Sequence, residues 1–207
     1  MRIIGGCLIA LLLVACSTAS HNENNYYTFS IPLAQKHSSQ AKDSNLVLML
    51  DQVKVVGVGD QQGIVQLLEQ NRVSVAQSHF WAEHPRYMLS KTLLTTLQND
   101  LPQWHVMNAN APAPILTPLV VSVEVSDLAG HYQSGALISG HWFIYQQTEQ
   151  GRELLTYKPF SLSTELNDNG FTALVEALQM SWLNLAQQIV LELNQYTKSP
   201  NDKDSIL

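Results

Sequence analysis

Apolar and polar residues alternate most cleanly between positions 119 and 147. Leu119, Val121, Val123 and Val125 fall on one side of an extended segment and Val120, Ser122, Glu124 and Ser126 on the other, which is the period of a half-buried strand. From Ser134 to Gln147 the alternation returns, with Ala136, Ile138, Gly140, Trp142 and Ile144 facing one way and Leu137, Ser139, His141, Phe143 and Tyr145 the other. Glu149-Gln150-Gly151 turns the chain into Glu153 to Ser163, so the pattern predicts a three-stranded meander. After Asn167-Asp168-Asn169 the period becomes helical. Phe171, Leu174, Val175, Leu178, Trp182, Leu185, Ile189 and Leu193 share one broad face. An earlier helix is predicted to begin at Pro85, whose missing N–H is not needed in a first turn. It carries Leu89, Leu93, Leu97 and Leu101 at every fourth position and closes at Pro102.

The remaining segments are shorter. Tyr26 to Pro32 is aromatic and β-branched and predicts a first strand ended by its proline, with a loop from Lys36 to Asn45 behind it. Leu46 to Val58 predicts a strand buried on both faces or bent at Asp51. Ile64 to Leu68 and Arg72 to Gln77 bracket Glu69-Gln70-Asn71 as a hairpin, with Asn71 supplying the turn. Trp104 to Met107 suits a short strand, and Ala111 to Pro118, with three prolines, suits a loop. The sum is an α+β domain: an antiparallel sheet of about seven strands with two amphipathic helices packed on one face.

The first residues follow different rules. A basic start at Arg2, an apolar stretch from Ile3 to Val14 and the tetrapeptide Leu13-Val14-Ala15-Cys16 form a lipobox. As a helix, Ile3 to Val14 would rise only about 18 Å against a hydrocarbon core of roughly 30 Å, so it suits a signal peptide better than a span. The alternative is an ordinary secretory signal cut nearby, for example after Ala19. On the lipobox reading, residues 1–15 are the signal and Cys16 is the lipidated first residue, carrying palmitate-type acyl chains. Residues 16–25 are then a tether, 26–197 one domain and 198–207 a tail. Ser17, in place of Asp, favours the outer membrane, and several acyl chains hold far more firmly than one. Fully extended, the tether from Cys16 to Tyr26 reaches at most about 36 Å, so the domain stays near its membrane.

Charge and cysteine content narrow the function. The formal charge of −6 becomes about −7 once Arg2 is removed, which argues against nucleic acid as a partner. Cys7 leaves with the signal, so Cys16 is the sole mature cysteine and stability must come from packing. His79, His84, His105, His131 and His141 are scattered, without the spacing of a zinc site, and suit satisfied or surface positions. Ser139-Gly140-His141 lies within an alternating strand instead of on a nucleophile elbow, and Gly57-Val58-Gly59 lacks the rest of a dinucleotide fingerprint. Asp51, Asp60 and Glu69 read as solvated turn charges. The residues therefore predict no catalytic set, no metal and no cofactor. Trp81-Ala82-Glu83 suits a strand end covering the core, with an acidic group placed before a helix start; recognition of a partner is the alternative.

Four segments resemble a known family, the PqiC-type ABC-transport auxiliary lipoproteins. Tyr26-Tyr27-Thr28-Phe29 follows a lipobox cysteine. Trp81-Ala82-Glu83 precedes Leu89, Leu93 and Leu97 at the family's helix spacing. Gly140-His141-Trp142 forms the small-x-Trp strand, and Leu185-Ala186-Gln187-Gln188-Ile189 the closing helix. Phe80 stands where an Arg is usual, and His84 separates Glu83 from Pro85. The resemblance implies a noncatalytic outer-membrane lipoprotein, its domain facing the periplasm, that docks an MCE-type (mammalian cell entry) lipid-transport assembly. The implied partners are a periplasm-spanning MCE-domain protein with its inner-membrane partner, outer-membrane lipid through Cys16, and further copies of the chain in a homo-oligomer. Tyr26, Tyr27, Phe29, Trp81 and Glu83 are the candidate interface residues. A lipoprotein activator of a cell-wall enzyme shares the same anchor and the same lack of a catalytic set; a periplasmic hydrolase needs a nucleophile and base that the sequence does not display.

Overall fold

A computed structural model describes residues 23–30, 46–111 and 117–196. The signal segment, Cys16, Pro32, the loop expected from Lys36 to Asn45, most of the proline-rich loop and the tail lie outside the described residues. The fold is α+β, with the meander at its centre. β7 (Leu119–His131), β8 (Gly135–Thr148) and β9 (Gly151–Thr164) pair antiparallel in chain order. Alternation works here as expected: Ala136, Ile138, Trp142 and Ile144 are buried, and the residues between them are half-buried on the other face.

Gly140 explains the small residue in this strand. It has φ +155°, and a Cβ there would lie 2.0 Å from the carbonyl oxygen of Glu124 and 3.0 Å from the Phe160 ring. Next to it the β7–β8 register shifts between Val125 and Asp127, so the backbones approach where a side chain would stand.

The free edge of β7 is lined by three short strands laid end to end. β2 (Val47–Leu50), β3 (Lys54–Val55) and β4 (Gly63–Leu68) all run parallel to it, opposite Leu119–Val121, Glu124–Val125 and Ala129–His131 respectively. Strand structure stops at Leu50 and resumes at Lys54, so the apolar run is interrupted at Asp51, and a 3-10 turn at Gly57–Gly59 takes up the remaining excess of chain. β5 (Arg72–Trp81) returns antiparallel to β4 through a turn in which Gln70 and Asn71 both have φ 59°. β1 (Asn25–Tyr27) pairs parallel with β5, and β6 (His105–Asn108) parallel with β2.

The sheet is thus mixed and nine-stranded, where alternation predicted about seven antiparallel strands. Parallel pairing needs a long return path. The β4–β5 hairpin and the first helix supply one between β4 and β7. The first strand is also shorter than expected, since pairing ends at Tyr27 and Thr28–Ser30 continue without strand structure.

Helices α1 (Pro85–Asp100) and α2 (Phe171–Tyr196) cover one face. Trp182 is fully buried and its Nε1–H donates to the Leu89 carbonyl at 3.2 Å, which fixes α2 against α1. The buried side of α1 includes Met88, Thr92 and Thr96 beside the leucines. The two hydroxyls are satisfied by the carbonyls of Met88 and Thr92 one turn back, at 2.9 and 3.0 Å. On the opposite face Val47, Met49 and Val120 form a small second cluster with Met107, Ala109 and Tyr145, so β2 is buried on both sides, one of the two arrangements its apolar run suggests.

Candidate functional site

The first described segment is bound to the body of the domain residue by residue. Asn25, Tyr26 and Tyr27 pair with His79, Phe80 and Trp81, and the Ala82 N–H donates to the Tyr27 carbonyl at 2.8 Å. The Tyr27 hydroxyl and His79 Nδ1 are 2.8 Å apart, and the His79 ring stacks on Phe171 at 4.0 Å between centroids. Beyond the strand, the Ser30 N–H donates to Gln179 Oε1 at 2.8 Å and Gln179 Nε2 donates to the Ser30 carbonyl at 3.2 Å. Chain entry, edge strand and α2 are therefore one unit.

The five candidate interface residues divide by burial. Tyr26 is 64% exposed and lies 5.8 Å from the Phe80 ring. Tyr27 is partly buried. Phe29 and Trp81 are only 2% and 1% exposed and meet edge-to-face at 5.8 Å, so they belong to the core and present no surface. Their burial has a simple cause: β1 ends before Phe29, and the chain then turns inward to close the core at the end of β5. Glu83 is half-buried and ion-paired with Lys91, eight positions further on, so it tethers the helix start without capping it.

Beside this pair, Arg86 donates from Nη2 to both carboxylate oxygens of Asp60 at 3.1 Å, and His84 Nε2 stands 3.6 Å from the same carboxylate. Asp60 and His84 thus join the β3–β4 connection to α1. Asp51, the other acidic turn residue, receives Arg152 Nη1 and Nη2 at 2.6 and 3.0 Å. That hydrogen bond pushes the Arg152 guanidinium above its ordinary value. Asp51 and Asp60 are thus half-buried and paired, in contrast to the solvated turn charges expected from the sequence. Their partners lie 101 and 26 positions away, and no spacing signal connects them.

The remaining polar groups are dispersed. His131 Nδ1 is 2.9 Å from the Ser134 hydroxyl, and His141 stacks on Tyr157 at 5.4 Å. Ser139 Oγ donates to Asp127 across the β7–β8 pair, where the register shifts. Such a contact holds two strands together; it lacks a histidine to accept a proton from the hydroxyl. Among the described residues no three His, Cys, Asp or Glu side chains converge as a metal site, and no helix is long and apolar enough to cross a membrane.

Residues 27–190 match the family described as ABC-type transport auxiliary lipoprotein component. The chain is 26% identical over 189 residues to the intermembrane transport lipoprotein PqiC of Escherichia coli (strain K12), covering 91% of this chain and 95% of that protein. The protein of the same name from Shigella flexneri gives the same figures. A solved but uncharacterized protein shares the fold with a TM-score of 0.68 at 24% identity, over 83% of this chain and 99% of that one. A Xanthomonas campestris protein does so with a TM-score of 0.62 at 10% identity, over 84% and 100%.

Proposed function

This chain belongs to the ABC-type transport auxiliary lipoprotein component family, and from that premise we propose that it is a noncatalytic subunit of an intermembrane lipid-transport assembly. In this reading Cys16 carries the acyl anchor in the outer membrane. The folded domain hangs into the periplasm and docks a periplasm-spanning MCE-domain protein whose inner end meets an inner-membrane partner. The observation that supports it most is the extent of the family match, which runs from Tyr27 at the end of β1 to Val190 within α2 and is not confined to one motif. The Escherichia coli relative, an intermembrane transport lipoprotein matched over nearly its full length, supports the transport role.

The chemistry of the domain agrees with a module that binds instead of reacting. Ser139 is engaged by Asp127, and the histidines are spread over separate surfaces. Tyr26, Tyr27 and Glu83 remain the proposed contact residues of the N-terminal edge, while Phe29 and Trp81 support them from the core. Affinity purification from detergent-solubilised membranes tests the role. Recovery of an MCE-domain protein is the expected outcome; recovery of a peptidoglycan synthase in its place would favour the cell-wall activator.

A further inference from the structure

The direction in which the chain enters the fold orients the domain on its membrane. β1 is parallel to β5, so the chain enters β1 from the side of His79 that leads along β5 to Arg72. Three loops meet at that end of the sheet: the β4–β5 turn at Gln70 and Asn71, the β7–β8 turn from Tyr132 to Ser134, and the connection from β9 into α2. From His79 to Arg72 is about 23 Å of strand. Nine steps from Asn25 back to Cys16 reach at most about 32 Å. A tether fully extended along the line of β1 would carry the lipidated residue less than about 10 Å past the loops, and a slacker one would leave the membrane nearer.

The surface at this end suits such a neighbour. Two adjoining clefts of about 250 and 300 Å³ share Leu67, Leu68, His131 and Tyr132; Leu166, Phe171 and Leu174 complete the apolar wall of the first. Tyr132 is 49% exposed at their common rim, an aromatic ring with a polar tip of the kind favoured at lipid headgroups. The charges around the end, Glu69, Arg72, Glu165 and Asp168, sum to −2. Attraction to anionic lipid is thereby ruled out as the driving force, and apolar contact with a zwitterionic headgroup layer is left.

We propose that the end formed by the β4–β5 turn, the β7–β8 turn and the start of α2 rests on the bilayer that holds Cys16, with Tyr132 at headgroup level. The opposite end, with the β8–β9 turn, points into the periplasm. The inference rests on the acylated anchor of the proposed function.

The test uses the acylated full-length mature protein in vesicles of phosphatidylethanolamine and phosphatidylglycerol containing a headgroup nitroxide lipid. Cys16 is blocked by its lipid, so Gln133→Cys and Gln150→Cys, at opposite ends of β8, each accept one fluorophore. Quenching several-fold stronger at position 133 than at 150 is expected. Equal quenching, stronger quenching at 150, or none at either position in a protein of verified acyl mass overturns the orientation and leaves the transport role standing. An unacylated Cys16 overturns both.

Discussion

The two halves of this domain reach the same core by different routes. In the C-terminal half, three strands of 13 and 14 residues pair with their neighbours in sequence and receive α2 directly on their buried face. In the N-terminal half, strands of two to ten residues pair, apart from the β4–β5 hairpin, with distant ones. Their positions are held by individual contacts: Tyr27 with His79, Asp60 with Arg86, Asp51 with Arg152. The first half is a scaffold built from periodicity, and the second is assembled along its edge. The candidate interface lies wholly in the second, where the loss of one contact displaces a short segment without dissolving the core.

The largest expected effect breaks the scaffold. Trp182→Ala removes the side chain that α1 and the sheet both enclose and should cost about 3–5 kcal/mol, lowering the melting midpoint by roughly 10 °C in calorimetry. An unchanged melt would remove Trp182 from the core. Gly140→Ala acts in the same half by strain instead of by a cavity; a loss of about 1–3 kcal/mol in urea unfolding is expected, because the added methyl meets the Glu124 carbonyl.

Smaller effects separate the halves. Tyr27→Phe should cost about 1 kcal/mol and speed amide exchange in β1 and the end of β5 while the meander stays protected. Uniform acceleration across β7–β9 would show that the halves are not distinct. Glu83→Gln removes an ion pair with a half-exposed lysine and should change stability by at most about 1 kcal/mol. If partner recovery collapses while the melt stays put, Glu83 acts in docking.

The contrast also explains what was legible in the residues. Periodicity is local information, and it located β7, β8, β9, both helices and the Asn71 turn because each is made by neighbours in sequence. It could not show that β2, β3 and β4 lie parallel along one strand, since an apolar run such as Leu46–Leu50 is the same in either direction. Nor could it separate Tyr26 from Phe29. Both are aromatic residues in one tetrapeptide, and only the end of β1 at Tyr27 sends one outward and the other inward. The Thr92 and Thr96 stripe was likewise invisible, because hydroxyls satisfied within their own helix occupy positions that polarity alone assigns to water.

The proposed anchoring depends above all on the chemistry of one atom, the Cys16 sulfur. Intact-mass spectrometry of protein isolated from membranes tests this most directly. The expected mass is that of a protein whose first residue is Cys16, carrying a thioether-linked diacylglycerol and an amide-linked acyl chain. A mature protein that begins elsewhere, or that begins at Cys16 with a free thiol, would contradict the account.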